Sequence, residues 1–207
     1  MESSRLKWLG KHVVTALAAS CILFLLVLKV VAFQKGQWFH AAGAIIFYVL
    51  MFFSFIFRYG NTESSAQKPK HWLFAISGTL LPLALTLHEP GLPWLLWLSL
   101  PLELFGMGLA IISLYTLGRS FGVIAANRAI KTHGVYRVIR HPLYAGEALW
   151  LFALVLQNLS WFNLAMLVVQ LACQCVRLLE EEDLLKNDPT YARYMDEVPW
   201  RAIPGIF

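Results

Sequence analysis

The sequence predicts an all-α fold, a polytopic integral membrane bundle of five to six helices, on three observations. Hydrophobic residues make up 58% of the 207 residues and charged residues only 14%, where a soluble domain carries about 25% charged residues. The charges are also unevenly placed, with long apolar runs separated by short basic clusters. Those clusters fall on alternate connections, as the positive-inside rule requires of a chain that crosses a bilayer repeatedly. The net charge of +5 is therefore read as topology. No lysine-arginine stripe with interleaved aromatics occurs, so nucleic acid is not an expected partner.

The runs follow in order. Apolar stretches of crossing length lie at about 13–32, 40–57, 71–87 and 93–117, and two more at about 142–156 and 161–176 are joined by "QNLSWF" as a helical hairpin. A crossing takes about 20 apolar residues, fewer where aromatic or basic side chains anchor the ends. The last two runs are short, so the bundle has six spans or five plus a shallow hairpin. Arg5, Lys7 and Lys11 precede the first run, and Arg58, Lys68 and Lys70 lie between the second and third. Arg119, Arg128, Lys131, Arg137 and Arg140 fill the loop 118–141. The connections "HEPGLP" and "QNLSW" carry no lysine or arginine, and the one after the first run has only Lys35. Both termini and the loop 118–141 are thus expected in the cytoplasm.

"TALAASC" near the start is expected to belong to the first membrane helix, because the apolar run continues well past Cys21. Cys21, Cys173 and Cys175 all lie in apolar runs, which suits packing and not a disulfide framework. "GNTESSAQKPK" (60–70) reads as a flexible turn, and in the polar, aromatic tail Pro189 opens a helix that Pro199 and Pro204 close. One membrane domain, 1–207, accounts for the chain: membrane helices over 1–100, and over 101–207 the part rich in reactive side chains.

Two clusters carry the polar chemistry. In "RHPLYAGE", Pro142 fits the first turn of a helix, where its missing N–H costs nothing. His141 then falls at the N-cap region, with Tyr144 and Gly146 in the first turns. The free N–H groups and dipole of such a start suit a carboxylate or phosphate; the same residues also suit an interfacial anchor. In "VRLLEEEDLL", Arg177 and Glu181 stand at i and i+4 and share a face. Glu180 and Glu182 are expected on the solvated surface. Glu103, inside the fourth run, is either functional or placed to reach the interface, and Gly106 and Gly108 are expected to serve close packing. His12, His40, His71 and His88 flank runs singly, without metal-ligand spacing. No Ser-His-Asp or Cys-His set, phosphate loop or zinc signature can be assembled, which disfavours hydrolysis and ATP chemistry and leaves no metal site.

Taken together, the two clusters resemble the isoprenylcysteine carboxyl methyltransferase family of integral membrane enzymes. The resemblance spans about 105–207 and rests on "LGRSFG", "KTHGVYRVIRHPLYAG", "RLLEEEDLL", "YARY" and "VPWRAIPGIF", in that order. It implies S-adenosyl-L-methionine as cofactor, held at a cytoplasmic C-terminal site through Arg128, Ala129, Ile130 and Lys131, through Tyr136, and through His141, Pro142, Leu143 and Tyr144. Glu181 would complete that site. Arg177 would bind the substrate carboxylate, which makes Arg177 and Glu181 the catalytic pair. The implied substrate is a lipophilic small molecule or prenylated chain entering from the membrane lipids. Two departures stand out: the loop before Gly134 is shorter than in the eukaryotic enzymes, with Arg128 where they carry histidine, and the glutamate run also admits Glu180 or Glu182.

Three other readings stay open. Phospholipid N-methyltransferases share related C-terminal motifs and take an amine as acceptor. Sterol-type membrane reductases have a similar "RHPxYxGE" run and "IPGIF" ending but use NADPH, whose 2′-phosphate calls for more cations than the glutamates after Arg177 leave. A membrane scaffold or small transporter fits less well, because the polar residues gather at one mouth and trace no path across the midplane.

Overall fold

In a computed structural model of the chain, the structure describes residues 16, 19–31, 34, 38–57, 81–85, 92, 94–121 and 130–207. The helices within them are α1 (Ala19–Val31), α2 (Trp38–Ile56), α3 (Trp94–Leu117), α4 (Pro142–Gln157), α5 (Trp161–Leu185) and α6 (Pro189–Glu197), and no strand occurs among the described residues. The apolar run at 71–87 falls mostly outside them, and its described part, Leu81–Ala84, is a single 3-10 turn.

α3 and α5 are each long and apolar enough to cross a membrane. Large apolar side chains such as Trp97, Phe105 and Ile112 of α3 and Val168 and Val169 of α5 project outward, as lipid-facing positions should. α5 differs from its expected extent. Its N-terminus is where Ser160 predicts it, the hydroxyl accepting from the Asn163 N–H at 3.1 Å. Its far end runs past the apolar stretch to Leu185, so that Arg177 and the glutamates lie on the same rigid rod as the apolar segment.

α3 and α4 make the most extensive helix pair, and glycine is the reason. A Cβ on Gly106 would stand 2.6 Å from the Trp150 nitrogen, and one on Gly146 would stand 2.6 Å from the Ala110 nitrogen and 2.7 Å from the Gly106 oxygen. The two backbones touch, the small-residue packing favoured between apolar helices. Gly106 therefore serves close packing as expected, whereas nothing lies within 4 Å of a Cβ on Gly108. Glu103 departs from an interfacial placement: it is fully buried and accepts from Gln157 Nε2 at 2.8 Å. Cys21 and Cys173 are half-buried and Cys175 is exposed, all as free thiols.

Above one core of Ile22, Phe47, Met51, Ala110, Leu114 and Leu143, the chain adds a second around Tyr136, Leu185, Tyr191, Tyr194 and Val198. α6 builds the latter. Asp188 caps it by accepting from the Thr190 N–H at 2.8 Å, and Pro189 occupies its first turn. Beyond it the tail returns to the start of α4, where the Arg140 N–H donates to the Trp200 carbonyl at 2.9 Å and the His141 N–H to the Arg201 carbonyl at 2.7 Å.

Candidate active site

Side chains three and four residues apart line one face of a helix. On α4 that places Tyr144 and Glu147 together; on α5 it aligns Gln174, Arg177 and Glu181. The two rows face each other. The Tyr144 hydroxyl donates to Glu181 Oε2 at 3.0 Å, the Arg177 guanidinium carbon lies 5.2 Å from the centre of the Tyr144 ring, and Gln174 Nε2 donates to Glu147 Oε2 at 3.1 Å. Tyr144, Glu147, Arg177 and Glu181 are each half-buried, so the seam they form is polar and open to a ligand at the end of two apolar helices. A cation over an aromatic face gains about 0.5–2 kcal/mol depending on desolvation, and the ring also limits how the guanidinium turns.

One residue further on, the environment changes. Glu182 is buried with 4% of its surface exposed, against the expectation of a solvated position. Its Oε1 accepts from Arg140 Nε at 2.8 Å and lies 3.2 Å from His141 Nε2. Its Oε2 accepts from Arg201 Nε at 2.7 Å, and Arg140 also donates to the Val198 carbonyl at 2.6 Å. The physical reason is the returning tail: it covers the face that the sequence leaves to solvent, and it brings a third basic side chain with it. Glu180 is half-buried.

The third component is the turn before α4. Gly134 adopts φ +63 at the head of the 3-10 turn Gly134–Arg137, a conformation that side chains disfavour. The turn buries Tyr136, whose carbonyl accepts from the Tyr194 hydroxyl at 2.6 Å. Burial first, and the Glu181 charge second, pushes the Tyr136 phenol well above its usual range. The same two causes, in the same order, raise Tyr191, so both phenols stay protonated and the Glu181 charge reaches both rings. Burial likewise raises Tyr194.

Of the residues named from the sequence, Tyr144, Arg177 and Glu181 come together in the seam. Ile130 packs against the Tyr136 cluster and Lys131 is half-buried; Arg128 and Ala129 lie outside the described residues. His141, Pro142 and Leu143 are buried. The His141 ring stacks near Tyr144, with centroids 5.7 Å apart, while its Nε2 faces Glu182. The anion seat expected at the start of α4 is narrower than foreseen: the tail carbonyls take the N–H groups of Arg140 and His141, and Pro142 has none. Those of Leu143 and Tyr144 remain in the first turn. Glu147, Gln174 and Arg201 were not picked out from the sequence. Spacing alone held a signal for two of them, since Glu147 is three residues from Tyr144 and Gln174 three from Arg177.

The phospholipid methyltransferase family model matches residues 94–189, a stretch that contains both rows of the seam. Two curated relatives are named probable protein-S-isoprenylcysteine O-methyltransferases, one from Oryza sativa subsp. indica and one from Oryza sativa subsp. japonica. Each is 31% identical over 132 residues, covering 58% of this chain and 69% of the relative. With that identity over more than two thirds of the relatives, and with the paired histidine-proline and arginine-glutamate motifs converging in space, the chain belongs to the isoprenylcysteine carboxyl methyltransferase family.

Proposed function

We propose that the protein is a multi-pass membrane enzyme that methylates a carboxylate on a lipophilic acceptor, with S-adenosylmethionine as donor and with the active site and both termini in the cytoplasm. The observation that carries this reading is the seam itself: Arg177 stacked on Tyr144 and Glu181 bonded to Tyr144, at the end of helices whose other faces are apolar. The donor set fits the cofactor. Glu181 offers a carboxylate to its cationic end, Lys131 a cation to its carboxylate, and the Tyr136 region an aromatic wall.

When bound, S-adenosylmethionine supplies a methyl group on a sulfonium, to be displaced in line without any redox step. The protein's part is placement. Arg177 presents a planar fork to the acceptor carboxylate, and the Tyr144 ring beneath it restrains that fork. The carboxylate is already ionised at neutral pH, so its oxygen forms the new C–O bond with no proton to remove, while the breaking C–S bond leaves its electron pair on sulfur. Holding two partners in line supplies a large share of such a rate enhancement. The acceptor's apolar tail would lie in the bilayer, between outward-facing side chains of the helices.

One observation favours a second reading. Glu147 lies in the same seam and could take a proton from an amine acceptor, the chemistry of phospholipid N-methylation. A methyl-transfer assay with labelled cofactor, run on lipophilic carboxylates and lipophilic amines, decides between them. Base-labile methyl esters are expected, and Arg177→Lys should cut turnover at least tenfold, because the point charge of lysine loses the fork. Its affinity for S-adenosylhomocysteine should change little. Methylated amines with a fully active lysine variant would establish the second reading, and tight NADPH binding without S-adenosylhomocysteine binding would overturn both.

A further inference from the structure

Carboxylate methylation gives tasks to Arg177, Tyr144 and Glu181 but none to Glu147. The residue is costly to keep. It sits one turn into α4 and is followed by "ALWLFALVL", with no polar side chain until Gln157. Carboxylates at such positions are disfavoured and mark functional sites by default. Its Oε2 accepts one hydrogen bond, from Gln174 Nε2 at 3.1 Å. A glutamine at 147 could take up the same contact without bringing a charge, so the pairing with Gln174 does not by itself explain an acid.

The charge has a neighbour. Glu147 and Arg177 act on one another electrostatically, from opposite rows of the seam. The seam then faces a ligand with two carboxylates, Glu147 and Glu181, and one guanidinium, Arg177. An acceptor carboxylate seated on Arg177 would stand close to Glu147, and two anions would share one cation. Like charges at short range in a partly dry site repel strongly. An acceptor with a protonated amine next to its carboxylate removes the conflict, because its two charges match the Arg177–Glu147 pair in sign and in order.

We propose that Glu147 is a specificity-determining residue of the acceptor site, selecting lipophilic amino acids whose free ammonium stands beside the carboxylate that is methylated. The inference rests on the carboxylate reading above. A simple fatty acid would deepen the negative charge of the seam, whereas a zwitterion leaves it unchanged.

The test uses the full-length protein in detergent with added lipid, labelled S-adenosylmethionine, and three acceptors that share one alkyl tail: an S-alkyl cysteine, its N-acetyl form, and the S-alkyl thiopropionate that lacks the nitrogen. The wild-type enzyme should prefer the free amine by about tenfold or more in kcat/KM, the ratio that one good charged contact confers. In Glu147→Gln that preference should fall below about twofold, by loss on the amine and gain on the thiopropionate, with affinity for S-adenosylhomocysteine held within about twofold. A purely structural role would lower all three acceptors alike. Equal ratios in the two proteins, or a wild-type preference for the thiopropionate, overturn the proposal. Ester formation on all three acceptors at equal rates would remove the role of Glu147 and leave the carboxylate reading standing, whereas N-methylated product would end both. If Glu147→Gln fails to fold, the wild-type ratio alone decides.

Discussion

Replacing Glu182 with glutamine should cost the protein stability and not chemistry. The side chain is 5% exposed and its partner Arg140 4% exposed, with Arg201 at 34%. Removing one member of a buried ion pair costs about 3–5 kcal/mol, because the charge left behind has no water to turn to. Two features of the structure trim that figure. Arg140 keeps its hydrogen bond to the Val198 carbonyl at 2.6 Å, and the more exposed Arg201 pair is worth no more than about 1 kcal/mol. A loss of about 3–4 kcal/mol remains, which corresponds to a fall in Tm of roughly 6–16 °C for a protein of this size. Thermal unfolding in detergent measures it, and hydrogen exchange at 198–207 should rise, since the tail is tied through the same carboxylate. Asp183→Asn is the control. Asp183 pairs with Lys186 on the surface, both side chains being more than half exposed, and its loss should fall within about 1 kcal/mol. A Glu182→Gln protein that melts within 2 °C of the wild type, or one no worse than Asp183→Asn, would show that the cluster does not hold the tail in place.

Three further outcomes follow from the same geometry. Glu181→Gln should leave Tm nearly unchanged while weakening S-adenosylhomocysteine binding by about 10-fold or more, the loss of a charged contact; calorimetric titration that finds equal affinity removes Glu181 from the cofactor side. Tyr191→Phe deletes a hydroxyl that is fully buried without a hydrogen-bond partner, so stability should hold or rise by up to about 1 kcal/mol, and a clear loss in thermal unfolding would reveal a partner. Gly146→Ala forces a methyl group to within 2.7 Å of backbone atoms on α3 and should cost about 1–3 kcal/mol or more, whereas Gly108→Ala, with open space around it, should be neutral or slightly stabilising in the same assay.

Local chemistry was legible in the sequence wherever the partner lay within one helical turn. Pro142, Ser160 and the Asp188–Pro189 pair start helices where their residue types demand it. The i, i+4 relation of Arg177 and Glu181 put both on the face that meets Tyr144. What the sequence could not supply was contact from far along the chain. Glu182 looks solvated as long as only α5 is considered, because nothing nearby announces that Arg201, 19 positions later, folds back onto it. The same return of the tail takes the N–H groups of Arg140 and His141 and narrows the anion seat at the start of α4. Glu147 and Gln174 lay between these cases: their spacing from Tyr144 and Arg177 was visible, but that the two faces meet depends on the crossing of α4 and α5.

Adjacent glutamates end up with opposite tasks because neighbouring helix positions point about 100° apart. Glu181 faces the seam; Glu182 faces the tail and the residues that precede α4. His141 is gripped by Glu182 and stands three positions before Tyr144, which in turn bonds Glu181. The grip at 182 therefore sets the height of α4 against α5, and with it the placing of Tyr144 opposite Arg177. A lost contact at 182 would reach the seam through that register, so activity lost in a Glu182 variant should return under conditions that restore folding, such as lower temperature or saturating cofactor. Activity lost at Glu181 should not return with temperature, since there the missing group would itself be a contact to the cofactor. Measuring turnover for both variants at two temperatures separates the roles: parallel recovery of the two would mean that Glu181 also acts through structure, and recovery of Glu182→Gln alone is the outcome the geometry requires.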